Sequence, residues 1–218
     1  MTKSKICWLI VYFSIVVLVL LLFFYRPAYY KPVPAEHGRR LSPYLTHYLI
    51  PQFYNGIQLQ EPFDIAITQQ GVNEIAGLLP VSSRANLTEL QIIFSPGKIT
   101  GACAADFHGV KLIITAVVAP ILDAEGLLNL NMRTVKVGAM NVTPVARIIG
   151  RRKYAGRNDF DPNDIRSLFA ASFFDNKSFD PVFAFGDKKI RLTQISVADE
   201  KMALHFVPVV DATAATLK

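Results

Sequence analysis

The sequence predicts an α+β fold, with an N-terminal transmembrane helix followed by a curved antiparallel sheet wrapped around helices. Three observations carry that expectation. Ile6–Tyr25 (ICWLIVYFSIVVLVLLLFFY) is an apolar run without a charge, and at ~1.5 Å per residue it is about as long as a bilayer core is thick. From Leu90 to Met140 apolar side chains alternate in long stretches separated by tight-turn residues, the pattern of an antiparallel meander. Around that meander, apolar residues recur at helical spacing behind capping residues.

The first run reads as an uncleaved anchor. A signal peptide has a short apolar core followed closely by small residues, whereas Tyr25, Arg26 and Pro27 follow here and Val33-Pro34-Ala35 lies far downstream. Cys7 precedes the apolar core, so it does not read as a lipidated cysteine. Lys3 and Lys5 stand before the run and Arg26, Lys31, Arg39 and Arg40 after it, so the charge flanks do not set orientation. A short tail before a single span usually stays cytoplasmic. The expected location is therefore the cell membrane, single-pass, with the domain extracytoplasmic.

The chain divides into a tail and anchor (1–25), a stalk and linker helix (26–61), an α+β domain (62–210) and a frayed tail (211–218). Arg26–Arg40 (RPAYYKPVPAEHGRR) reads as an extended stalk, with Tyr25, Tyr29 and Tyr30 where interfacial aromatics belong. Ser42-Pro43 has the form of a helix start, with Tyr44, Leu45, Tyr48 and Leu49 at helical spacing until Pro51 interrupts. Phe63–Ile67 reads as a strand. Thr68 caps a helix with Val72, Ile75, Ala76 and Leu79 on one face, which Pro80 ends.

The meander follows. Leu90, Ile92 and Phe94 alternate, Ser95–Lys98 turns, and Ile99, Gly101, Cys103, Ala105 and Phe107 alternate back. His108-Gly109 turns into Val110–Ile121, and Asp123–Gly126 turns into Leu127–Met140. In that last strand Leu128, Leu130 and Met132 share one parity and Val135 and Val137 the other, which predicts either a β-bulge near Arg133-Thr134 or burial on both faces. Thr143-Pro144 starts a helix reaching about Tyr154. Asp161–Asp164 starts another, with Ile165, Leu168, Phe169, Ser172 and Phe173 inward. Strands at Val182–Phe185, Lys189–Ala198 and Met202–Val209 close the chain.

Composition narrows the chemistry. The net charge is +6, a modest excess that suits anionic headgroups, and no basic stripe interleaved with aromatics or zinc-finger spacing points to nucleic acid. Cys7 falls in or at the edge of the expected anchor and Cys103 in the domain, which argues against an intramolecular disulfide, and Cys103 reads as a small apolar strand residue. The four histidines stand far apart, without metal-ligand spacing, and neither a nucleophile elbow nor a P-loop is present. Asp106 with His108 reads as a solvated turn, and His205 points away from the face of Leu204 and Phe206. The expectation is a protein without enzymatic activity, cofactor or metal.

Two groups of residues carry the functional expectation. Arg147, Arg151 and Arg152, with Lys153 and Arg157, read either as a headgroup-contacting patch or as cations placed at the negative end of a helix. The apolar positions Val72, Ile75, Leu79, Ile92, Ile114, Leu130, Met132, Leu168, Phe169 and Phe173 read either as a packed core or as the lining of a lipid groove. Both uses need the same side chains, since each buried CH₂ contributes ~0.8 kcal/mol without a polar partner.

Three segments add a resemblance. FDIAITQQGVNEIAGLL with Asn73 in its helix, GLLNLNMRTVKVGAMNVTPVARIIG with its Val-Gly step, and the closing DEKMALHFVPV ending at Pro208 resemble small bacterial single-span proteins of the YpmS type. Those are similar to the tubular lipid-binding superfamily, in which a strongly curved sheet wraps a long helix around an apolar groove. The resemblance covers roughly Phe63 to Val209. It implies a membrane-anchored extracytoplasmic module that binds lipid or another hydrophobic ligand, with membrane lipid as partner. The alternative is an anchored envelope protein with a closed core that docks or assembles another envelope protein.

Overall fold

The computed structural model describes residues 3–32, 41–78, 87–107, 109–155 and 164–209, with side chains from Cys7 in the first segment and to Lys153 in the fourth. Helix α1 (Lys3–Phe23) opens the chain. A π-helical stretch (Tyr44–Leu49) continues into α2 (Ile50–Leu59), followed by β1 (Phe63–Thr68) and α3 (Gln69–Leu78). Next come β2 (Leu87–Ser95), β3 (Lys98–Phe107), β4 (Val110–Leu122), β5 (Leu128–Val137) and β6 (Met140–Asn141). Helices α4 (Thr143–Ala155) and α5 (Ile165–Asp175) lead to β7 (Val182–Phe185), β8 (Lys188–Ala198) and β9 (Lys201–Val209).

The α+β class holds, and the strands form two antiparallel sheets where one was expected. One has the order β1-β9-β8-β7 and the other the consecutive order β2-β3-β4-β5-β6. The expected meander is the second sheet. The first unites the strand before the meander with those after it, a long-range pairing that no local pattern specifies. Bulges bend both sheets. In the meander Val117 faces Thr134 while Val118 faces Met132, which leaves Arg133 as the extra residue where the parity shift predicted one. Two further bulges lie at Glu89-Leu90 and at Thr193.

The main core lies between the inner face of the four-stranded sheet, α2 and the β4–β5 end of the meander. Ile65, Ile190, Leu192 and Phe206 meet Leu49, Ile57, Leu128 and Phe179 there. Phe206 is the hub of a ring cluster, 5.5 Å from Phe53, 5.5 Å from Phe63 and 6.3 Å from Phe183 between centroids. The opposite face of this sheet is polar, with Asp64 beside its cross-strand neighbour His205 at 2.7 Å.

Helices close the edges of the meander rather than filling a wrapped sheet. At β2, Asn73 of α3 donates to Ile92 O (2.7 Å) and accepts from Ile92 N (2.6 Å), and Gln69 Oε1 accepts from Phe94 N (2.7 Å). At β5, Ser172 Oγ of α5 accepts from Leu130 N (2.7 Å) and Thr143 Oγ1 accepts from Val135 N (2.8 Å). An open strand edge invites pairing with another chain; here side chains occupy its donors and acceptors. Helix α2 instead packs into the main core against the four-stranded sheet, so the helices divide between the edges of the meander and the core.

Other local expectations are adjusted. Pro51 does not interrupt its helix: the preceding turn widens to π geometry, with Ile50 N–H bonded to Leu45 O. The wider turn relieves the clash that proline makes with the carbonyl four residues back. Thr68 caps α3 as expected, its Oγ1 accepting from Gly71 N at 3.2 Å. In α5, Ser167 and Ser172 are the buried residues and Ile165, expected inward, is exposed. Leu79, Pro80, His108, Asp161–Asn163 and the tail from Val210 lie outside the described residues.

Helix α1 ends at Phe23, short of the expected Tyr25. Among the described residues no helix is long and apolar enough to cross a membrane. The side chains described in α1 run from Cys7 to Phe23. Every one from Cys7 to Leu22 is exposed, and Ser14 is the sole hydroxyl-bearing residue among them apart from Tyr12.

Candidate functional site

Strand register decides which side chains of the meander share a face, because residues directly opposite in an antiparallel ladder project to the same side. Ile92 stands opposite Gly101, Gly101 opposite Ala116, Cys103 opposite Ile114, and Ile114 opposite Val137. With Ala105, Leu112, Val118, Leu130, Met132 and Val135, these make an inner face without a charged or amide side chain. Its far end, at Leu122 and Leu128, joins the main core.

Burial grades along this face. Met132 is 1% exposed. Toward the other end Cys103, Ala105, Leu112, Ile114, Ala116 and Val137 are only half-buried. Gly101, Ala105 and Ala116 make a strip of small residues along its middle, which we term the trough. Burial pushes the Cys103 thiol up from its ordinary value, as desolvation of a thiolate requires.

The half-buried end of the trough meets α1. Gly138 follows Val137 in a turn, at φ +58°, and a Cβ there would collide with the carbonyl oxygens of Leu22 and Phe23. Ala139 N–H donates to Leu22 O at 2.8 Å, and Gly138 N–H donates to Ile113 O at 2.8 Å. One of the carbonyls left unpaired at a helix C-terminus is thus bonded to the meander itself. Glycine is required for both the left-handed turn and the close approach.

The segment after α1 is docked rather than extended as a stalk. Tyr30, 2% exposed, packs on Ala102, Ala104 and Ile113 on the outer face of the meander. Its hydroxyl donates to Glu89 O at 2.7 Å, the carbonyl offered by the β2 bulge. Gln91 fastens the neighbours, accepting from Lys31 N at 2.7 Å and donating to Tyr29 O at 3.4 Å. Burial, with the Glu89 charge beside it, pushes the Tyr30 phenol up to about 12. Residues 33–40 of the expected stalk lie outside the described residues.

The expected groove residues distribute as follows. Ile92, Ile114, Leu130 and Met132 share the inner face, Met132 sealed into it. Leu130, Phe169 and Phe173 come together around a hollow of about 270 Å³ with Arg166 at its rim. Leu168 lines a separate hollow of about 450 Å³ beside Phe179 and Phe183. Ile75 packs against the main core, Val72 is half-buried on α3, and Leu79 is not among the described residues. The nine described residues therefore divide among the inner face, two hollows and α3.

The expected headgroup cations divide as well. Arg147 donates to Met132 O at 2.9 Å, closing the β5 edge, and Arg151 pairs with Asp175 at 2.7 Å, tying α4 to α5. These partners turn two of the three arginines to structural use. Arg152 projects from the exposed side of α4.

Sequence reasoning missed one hollow of about 550 Å³, lined by Leu45, Leu49, Ile50, Phe53, Ile57 and Phe185 among others. Lys188 at its rim donates to Gln58 Oε1 at 3.0 Å and to the terminal carbonyls of α2. The apolar spacing of Leu45, Leu49 and Ile57 was visible. Its meeting with Phe185, more than a hundred residues on, was not.

Among the described residues no three or more His, Cys, Asp or Glu side chains stand close enough to hold a metal ion. In comparisons with protein-family models, curated proteins and solved structures, nothing matches this chain.

Proposed function

We propose that this is a single-span membrane protein whose domain holds a lipid or similar hydrophobic molecule non-covalently, on the extracytoplasmic side. The observation that carries the reading is the trough: an inner sheet face without charge, half-buried toward the end where α1 is hydrogen-bonded to the Gly138–Ala139 turn. The anchor reading draws on the uncharged run Ile6–Tyr25, on a backbone helix that starts at Lys3, and on apolar side chains exposed all round it. A helix that is apolar on every side needs an apolar surrounding.

In this role α1 performs no chemistry. It keeps the trough next to a bilayer, so that an acyl chain leaving the leaflet meets Ile114, Ala116 and Val137 without crossing water. Each methylene transferred contributes ~0.8 kcal/mol. The resemblance to YpmS-type proteins and the tubular lipid-binding superfamily points the same way.

The test is purification of the full chain from membranes in mild detergent, followed by lipid mass spectrometry and uptake of a fluorescent fatty acid. Ala116→Trp fills the trough, and Gln194→Trp places the same ring on the polar face of the other sheet. Bound lipid that drops several-fold for Ala116→Trp and persists for Gln194→Trp supports the reading. A full chain that retains no lipid and takes up none would sink it and favour the closed, protein-docking alternative.

A further inference from the structure

The geometry points to a second membrane contact, made by the outward face of α4. Rested on the anchor reading of α1, it assigns Val145, Ile148 and Ile149, with Arg152, to the headgroup–acyl boundary of an anionic leaflet.

Helical spacing puts these four side chains on one stripe, at i, i+3, i+4 and i+7. Val145 is 55% exposed, Ile148 52% and Ile149 59%. The opposite stripe is committed to the fold. Thr143 bonds to Val135, Arg147 to Met132 O, and Gly150 lies against the Phe174 ring, which a Cβ would strike. The apolar stripe is therefore held outward by the contacts that fix the helix, and rotating it inward would break all three.

Position selects the occupant. Ala139 is bonded to the C-terminal end of α1, and Thr143 follows four residues later. A chain of that length reaches at most ~14 Å. The apolar residues lie in the first two turns of α4, with Ile149 ~9 Å along the helix from Thr143 at ~1.5 Å per residue, so the stripe stays near the end of α1 and on the same side of the bilayer. Charge agrees with an anionic surface: Arg152 and Lys153 are exposed on the last turns, Arg151 beside them is paired with Asp175, and α4 carries no acidic residue. Long basic side chains bury their stems and keep their charge among phosphates.

The experiment uses the full chain in nanodiscs with Cys7→Ser and Cys103→Ala as background. Single cysteines at Ile149, at Val16 in α1 and at Gln194 on the far sheet each carry an environment-sensitive fluorophore. With phosphatidylglycerol present, we expect brominated lipids to quench the labels at 149 and 16 at least threefold more than the label at 194. Discs of phosphatidylcholine alone should weaken the quenching at 149 at least twofold and leave that at 16 unchanged. Quenching at 16 without quenching at 149 overturns the α4 contact and leaves the anchor standing, whereas loss at both positions overturns the two together. Shielding at 149 without bromolipid quenching, with energy transfer between copies, would assign the stripe to a second copy of the chain and likewise overturn the proposal.

Discussion

The two sheets are built from similar strands and use them differently. The four-stranded sheet has one apolar face, where rings interlock around Phe206, and one polar face bearing Asp64, His205 and Gln194. The meander places buried Leu128 and Met132 toward its core end, small side chains at its middle where Gly101 stands opposite Ala116, and half-buried Ile114 and Val137 at its other end. Its other face receives Tyr30. The contrast predicts that stability concentrates around Ile65 and Phe206 in the discontinuous sheet, assembled from both ends of the domain, more than in the half-buried end of the contiguous meander.

The largest expected effect tests that contrast directly. Ile65 is 0% exposed, so Ile65→Ala is expected to cost about 3–4 kcal/mol in urea unfolding, the cost of a cavity in a packed core. Ile114→Ala, on the half-buried trough, is expected to cost under ~2 kcal/mol. Equal losses would erase the distinction between the sheets.

Next comes the meander's edge. Asn73→Ala leaves both Ile92 N–H and Ile92 C=O without their side-chain partner, and an unpaired buried polar group costs ~1–3 kcal/mol. Destabilisation of about 2–3 kcal/mol, with faster amide exchange at Ile92 and Phe94 and unchanged exchange in β8 and β9, would sharpen the separation of the two sheets. Uniform acceleration across both would show that they open as one unit.

Gly138→Ala probes the joint between α1 and the meander. The left-handed turn alone costs a side chain ~1–2 kcal/mol, and the Leu22 and Phe23 carbonyls must also move. The Ala139 amide should lose protection while that of Leu192 keeps it, as read by hydrogen exchange.

The smallest effect is a matter of pH. Tyr30 is raised from 10.0 to about 12, so the folded state favours the protonated phenol that donates to Glu89 O. Its stabilising contribution is complete below pH 10, the unfolded value, and is lost as pH rises through about 12. In a phenolate absorbance titration one tyrosine should ionise late, and Tyr30→Phe should remove that late step at a cost of ~1 kcal/mol.

Much of this architecture was legible locally. The meander's turns, the Arg133 bulge, the Thr68 cap and the α4 start follow from parity, turn chemistry and caps, which act over a few residues. The candidate site was legible only in pieces. Parity put Leu130 and Met132 on one face, yet nothing in the pattern said that Met132 would be sealed while Ile114 stayed half-open. Arg147 and Arg151 read as surface cations because their partners, Met132 O and Asp175, are fixed by packing.

The sequence alone determined an uncharged apolar N-terminal run, a contiguous antiparallel meander and capped helices, because chain periodicity and backbone donors dictate these at short range. The tertiary structure decided that the strands divide into two sheets, that α3, α4 and α5 close the edges of the meander while α2 packs in the core, and that Tyr30 docks beside the end of α1. The physical reason is reach. Pairings such as Phe63 with Phe206, or Tyr30 with Glu89, depend on which surfaces remain uncovered once the local elements exist, and no local window of sequence contains both partners.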